Sequence, residues 1–213
     1  MTPLIEENAL VLFQGDSITD ASRNRQDSHD MGKGYAHMAA AWFGALHPER
    51  NVRFLNRGIS GNRVPHLVER WEADCLALMP SWVSIMIGIN DTWHGMQDPK
   101  QHVSHGEYEK GYRRILSLCR DRLGARLVLI EPFVLPIPED RRKWRADLDP
   151  RIQIVRNLAS EFKAVLVPLD GLFAEAAARR EPAYWAPDGV HPTPAGHALI
   201  AQAWLRAVRA IPR

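Results

Sequence analysis

The stretch ALVLFQGDSITD, Ala9–Asp20, changes character at its midpoint. Its first half is apolar and β-branched or aromatic enough for a buried strand, predicted over Ala9–Gln14. At Gly15-Asp16-Ser17 the polarity flips, as it does where a strand leaves a sheet. Four similar runs follow: Val52–Asn56, Trp82–Ile87, Arg126–Ile130 and Val165–Pro168. Between them, Tyr35–Leu46, Val64–Leu78, Glu107–Leu123 and Pro150–Phe162 carry apolar residues at helical spacing. A last helix starts at Thr193 or Pro194, a cap followed by a first-turn proline, and runs towards Val208. Strands alternating with helices, and almost no hairpin signals, predict α/β architecture: a parallel sheet covered on both faces. A five-stranded sheet in the order 2-1-3-4-5 suits the length.

The chain has 213 residues, 46% hydrophobic and 24% charged, which predicts one domain spanning residues 1–213 with one good core. Net charge is +2, with no basic stripe interleaved with aromatics, so nucleic acid is not an expected partner. No apolar run approaches the roughly 18 residues of a membrane span, so no membrane partner is expected. The N-terminus MTPLIEENALVLF has no basic start and carries Glu6 and Glu7, unlike a secretory signal. A cytoplasmic location is the expectation. Cys75 and Cys119 have no CxxC neighbour and read as two reduced thiols in or near the core. His94, His102 and His105 step through a histidine-rich stretch, but no Cys or Glu-x-x-His pattern supports a closed metal site.

In parallel sheets ligands sit beyond the carboxyl ends of the strands. The residues there are Gly15-Asp16-Ser17, then NRGISGNR (Asn56–Arg63), then GINDTW (Gly88–Trp93), then EPF (Glu131–Phe133). APDGVHP (Ala186–Pro192) precedes the last helix. Each turn alone is weak. Together they bring a hydroxyl, glycine amides, a side-chain amide and an Asp/His pair to one rim. A serine hydroxyl needs a base to take its proton, and histidine suits that task near neutral pH. A carboxylate on the other ring nitrogen fixes the tautomer, and Asp188 is close enough in sequence to His191 to do so. The backbone N–H of Ser17, the backbone at Gly61 and the amide of Asn90 are the candidate donors for an oxyanion.

The blocks GDS (Gly15–Ser17), GISGN (Gly58–Asn62), GIND (Gly88–Asp91) and DGVH (Asp188–His191) resemble, in order and spacing, the SGNH (GDSL-type) hydrolases. The likeness covers nearly the whole chain. It implies a flavodoxin-like three-layer α/β/α sandwich. It also implies Ser17 as nucleophile, Asp188 and His191 as its triad partners, and Gly61 and Asn90 completing the oxyanion hole. Within the family, NRGISGN, PSWVSIMIGINDTW and VHPTPAGHALIAQAWL are similar to the intracellular acetylxylan esterases. That likeness implies removal of O-acetyl groups from xylo-oligosaccharides or related sugars, without metal or organic cofactor. It also implies a homo-oligomer. Arg63 departs from the small threonine many relatives carry near the glycine block, which leaves the preferred sugar open. Rival expectations are a lysophospholipase or thioesterase, and a non-catalytic carbohydrate-binding module.

Asp16 and Asp20 read as loop holders and Asp91 as an anchor. His197, inside the last helix, is a rival to His191. Trp93 and Trp185 flank the blocks and are candidate sugar-stacking rings, whereas Trp42, Trp71, Trp82 and Trp204 read as packing. The run EDRRKWRADLD, Glu139–Asp149, reads as a solvated loop, a rim over the site or an oligomer contact.

Overall fold

A computed structural model describes residues 2–212. Five strands run parallel: β1 (Leu10–Gly15), β2 (Arg53–Asn56), β3 (Trp82–Met86), β4 (Arg126–Ile130) and β5 (Val165–Val167). Their order is β2-β1-β3-β4-β5, as the sequence predicts. β1 sits against both β2 and β3, with Phe13 level with Asn56 on one side and Ser84 on the other. The helices are α1 (Ser17–Asp20), α2 (Tyr35–Leu46), α3 (Val64–Asp74), α4 (Ile89–Gln97), α5 (His105–Leu118), α6 (Arg145–Glu161), α7 (Leu169–Arg179), α8 (Pro182–Trp185) and α9 (Pro194–Ala207).

The strand pleat sorts the core into two layers. Val11, Phe13, Trp82, Met86, Val128 and Ile130 face α2 and α9, where Phe43, Ile200 and Trp204 pack. Leu12, Val83, Ile85, Leu127 and Leu129 face α3 and α5, where Leu67, Trp71, Tyr112 and Ile115 pack. The continuous apolar strands are those of a sheet buried on both faces. Ser84 is the polar member of β3, and the Trp204 indole N–H donates to its hydroxyl at 3.0 Å. Cys75 and Cys119 are buried free thiols, with their sulfurs 3.9 Å apart.

Several expectations need correction. Helix α6 begins at Arg145, well before Pro150, which lies inside it. Pro150 removes the donor for the Ala146 carbonyl, but that residue is exposed and water can serve it. Helices α4 and α7 follow β3 and β5 where no helix was predicted. Trp42 is 59% exposed rather than packed. Helix α2 buries Tyr35, Ala36, Ala39 and Phe43, and Trp42 falls just off that face. With Met38, Leu205 and Ile211 it borders an apolar groove between α2 and α9. Among the described residues no helix is long and apolar enough to cross a membrane.

Candidate active site

β1 delivers Ser17 to the C-terminal rim of the sheet. Gly15 makes the exit possible: a Cβ there would lie 2.4 Å from the Met86 carbonyl oxygen and 2.3 Å from the Thr19 hydroxyl. Asp16 then caps α1, accepting the Ile18 N–H at 3.0 Å, so Ser17 opens a helical turn. Asp20 ends that turn and accepts from the amides of Arg23 (3.2 Å) and Ser60 (3.0 Å) and from the Arg25 guanidinium. Buried Asn56 donates to the Thr19 and Met31 carbonyls and accepts from the Gly58 N–H. A Cβ on Gly58 would meet the Asp20 amide nitrogen at 2.3 Å, so the glycine block and α1 are pressed backbone to backbone.

From the far end of the chain, the turn before α9 brings Asp188 and His191 to the same rim. Its shape comes from Gly189, whose φ of 81° suits glycine. A Cβ there would lie 2.2 Å from the Ile137 carbonyl oxygen. The Leu135 N–H donates to the Gly189 carbonyl at 2.8 Å and holds the turn down. Thr193 caps α9 through the Gly196 N–H at 3.2 Å and donates to the Tyr184 carbonyl. Asp188 Oδ1 accepts the amides of Val190 (2.9 Å) and His191 (2.7 Å), and Oδ2 lies 2.6 Å from His191 Nδ1. Burial pushes the Asp188 carboxyl up, but these donors outweigh it and hold the group below the usual carboxylate range. An ionised carboxylate only accepts, so His191 Nδ1 carries the proton in the neutral ring. Nε2 then presents its lone pair to the Ser17 hydroxyl, 3.0 Å away.

Helix α4 places Asn90 on the rim. The Asn90 side-chain amide donates to the Asn62 carbonyl at 3.1 Å, leaving its second N–H uncommitted among the described residues. Asp91 accepts the Val64 N–H at 3.2 Å, tying α4 to the start of α3. Gly61, with φ of 80° and open space where a Cβ would stand, is favoured by its backbone shape rather than by crowding. No protein acceptor for the amides of Ser17 and Gly61 is found among the described residues. Two carboxyls beneath this surface are pushed up to about 7 by burial: Asp16, offset in part by the Ile18 amide, and Asp91, offset in part by Arg151.

An open cleft of about 750 Å³ runs along Ser17, His191, His197, Ser60 and the Asp20–Arg25 segment. On another flank the Trp93 ring lies 5.8 Å from the His191 ring. Arg141 stacks over Trp93 at 4.9 Å and over Trp144 at 4.0 Å. The charged run Glu139–Asp149 therefore supplies a rim beside the site, and Arg141 is a neighbour the sequence reading had not singled out. The signal was Trp144, a large apolar residue amid charges. The Trp185 indole N–H donates to the Ala176 carbonyl at 3.0 Å, anchoring α8 to α7. Arg63 donates to the Gln101 carbonyl at 2.6 Å, spanning from the glycine block to the segment after α4. His105 Nε2 lies 3.0 Å from the Asp147 carbonyl. Among the described residues no group of three or more His, Cys, Asp or Glu side chains is placed to hold a metal ion.

A hydroxyl, an imidazole and a carboxylate in line on the rim of a parallel sheet are the equipment of an acyl-transfer hydrolase. The chain belongs to the GDSL-like lipase/acylhydrolase family, whose model matches residues 13–199. It is, with that family, a carboxylic ester hydrolase. It is similar to an acetylxylan esterase of Geobacillus stearothermophilus, at 37% identity over 205 residues, covering 93% of each chain. A solved structure of a variant acetyl xylan esterase from that organism matches with a TM-score of 0.91 at 35% identity, over 99% of both chains. A putative GDSL-like lipase from Parabacteroides merdae matches with a TM-score of 0.92 at 36% identity, over 97% of this chain and 98% of that one.

Proposed function

We propose that the protein removes O-acetyl groups from carbohydrates, acetylated xylo-oligosaccharides foremost, through Ser17, His191 and Asp188. His191 Nε2 takes the Ser17 proton as the hydroxyl oxygen attacks the acetyl carbonyl. The developing oxyanion is met by the amides of Ser17 and Gly61 and by the free N–H of Asn90, each donor being worth about 3 kcal/mol in the transition state. The same imidazole, now charged and held by Asp188, returns its proton to the departing sugar oxygen. Water then enters, gives a proton to His191 and attacks the acetyl-enzyme. Acetate leaves and Ser17 is restored.

The observation that carries the reading is the 3.0 Å approach of Ser17 Oγ to His191 Nε2, backed by the 2.6 Å contact of His191 Nδ1 with Asp188. The likeness to an acetylxylan esterase supports the acyl group and the sugar. The test is a rate comparison on an aryl acetate, acetylated xylobiose and octanoyl esters, with Ser17→Ala as the blank. Loss of all turnover in Ser17→Ala is expected, with a steep fall from acetyl to octanoyl. Substantial turnover in the blank overturns the nucleophile. Preference for octanoyl esters overturns the deacetylase in favour of a lysophospholipase or thioesterase.

A further inference from the structure

His197 lies on the first turns of α9 and lines the same cleft as Ser17 and His191. Its ring is held by the start of α2. Gly34 caps that helix without a side chain of its own, so the Tyr35 N–H is one of the orphan donors of a helix start. His197 Nδ1 lies 3.2 Å from that nitrogen and accepts its hydrogen. Gly34 also makes room for the ring: a Cβ there would stand 2.8 Å from His197 Cε1. A nitrogen that accepts a backbone N–H cannot itself carry a proton, so the tautomer follows from the donor. His197 must hold its single ring proton on Nε2. Nε2 has no protein partner among the described residues, yet it is absent from the sealed, unpartnered polar atoms. It is therefore an unsealed N–H donor on a residue that lines the cleft. Burial, helped by nearby His191, pushes the ring down to about 4, so the donor stays uncharged at working pH. An uncharged donor does not oppose the positive charge that forms on His191.

We propose that His197 Nε2–H is a substrate-binding donor that grips a hydroxyl or ring oxygen on the alcohol side of the ester, and so selects polyol esters over simple ones. The inference rests on the deacetylase reading above and adds a residue that the nucleophile, base and oxyanion donors do not include.

The paired variants His197→Asn and His197→Gln separate the ring's two jobs. Asparagine can place its carbonyl oxygen where Nδ1 stands, keeping the Tyr35 N–H satisfied, but does not reach the position of Nε2. Glutamine reaches the Nε2 position with an N–H and gives up the cap. Expected for His197→Asn is a fall in kcat/KM on acetylated xylobiose of about three- to ten-fold, the size of one neutral hydrogen bond. On an aryl acetate, whose leaving group offers no sugar oxygen, the rate should hold within about two-fold, again judged against that bond. His197→Gln should recover selectivity for the sugar ester even with a lowered melting temperature. Equal losses on both substrates, or no loss on either, in a folded His197→Asn overturn the proposal alone. Wild-type protein that cleaves the aryl acetate but leaves acetylated xylobiose intact overturns the carbohydrate reading, and this proposal with it.

Discussion

Removing the Asp147 carboxylate should be among the most damaging single changes outside the active site. Asp147 Oδ2 accepts Arg151 Nε at 2.9 Å and the Thr92 hydroxyl at 2.6 Å, and Oδ1 accepts Arg151 Nη2 at 3.2 Å. Arg151 is fully buried; its other hydrogen bond runs to the Val103 carbonyl, and Nη1 has no partner among the described residues. Burial alone pushes Asp147 up, but Arg151 and Thr92 reverse this and hold it below the usual carboxylate range. Asp147→Ala leaves a guanidinium inside the protein with no counter-charge bonded to it. Breaking such a pair from one side costs about 3–5 kcal/mol. At about 2–4 °C per kcal/mol for a chain of this size, the melting temperature should fall by about 6–20 °C. Thermal and urea unfolding of the variant measure this directly. Replacing both partners, Asp147→Leu with Arg151→Met, should recover most of the loss, since no charge is then stranded. A single variant melting within about 2 °C of wild type, less than the lower bound set by that cost, would falsify the argument.

Asp188→Asn should keep the fold and lower kcat by about 10³–10⁴-fold, because the amide favours the wrong tautomer of His191; a loss below tenfold in an aryl acetate assay would count against the assignment. Neutral burial of His197 sets an acid limit on stability. Its ring binds a proton near 6.5 when unfolded and near 4 when folded, so the unfolded chain takes up the proton first. That contribution is complete above 6.5 and shrinks as the pH falls towards 4; urea titrations at several pH values should show a shallower acid slope in His197→Asn. Asp91 runs the other way. Its folded value of about 7 lies above 3.8, so its contribution is present at low pH and fades as the pH rises through 7. Asp91→Asn, which can still accept the Val64 N–H, should therefore gain stability relative to wild type more at pH 8 than at pH 4, as read by melting curves. Gly58→Ala should cost about 2 kcal/mol or more, because the new methyl meets main chain rather than a movable side chain; an unchanged melting temperature would contradict the packing described.

The fold was readable because the strands of a two-faced sheet are continuous apolar runs, and LVLF, WVSIM and RLVLI need no partner information to be recognised. Thr193-Pro194 marked the last helix by local chemistry alone. What the sequence hid depends on tertiary partners. Helix α4 carries GINDTW, whose polar residues read as a loop until Asp91 finds Val64 and Thr92 finds Asp147. Asp147 in the charged run and Arg151 just beyond it have the spacing of an exposed helix pair, and only the packing of α5 and α6 takes them out of water. Pro150 argued for a helix start because proline suits a first turn; it is tolerated inside α6 because the carbonyl it leaves unpaired is on an exposed residue. At the candidate site the residue types and their order were legible, as was the local reach of Asp188 to His191. The position of His197 against Tyr35 joins residues 162 apart, and no local pattern carries it.

Ser17 and His191 are separated by 174 residues of chain, yet stand within one hydrogen bond of each other. Between them lie strands β2 to β5 and helices α2 to α8. On the proposed reading a nascent chain can complete its five strands and helices α1 to α8 and still cleave no ester, because the base follows all of them in the chain. The onset of hydrolysis during synthesis or refolding is then a clock for the final docking of α9 on the sheet, a step that ordinary measures of helix content would pass over.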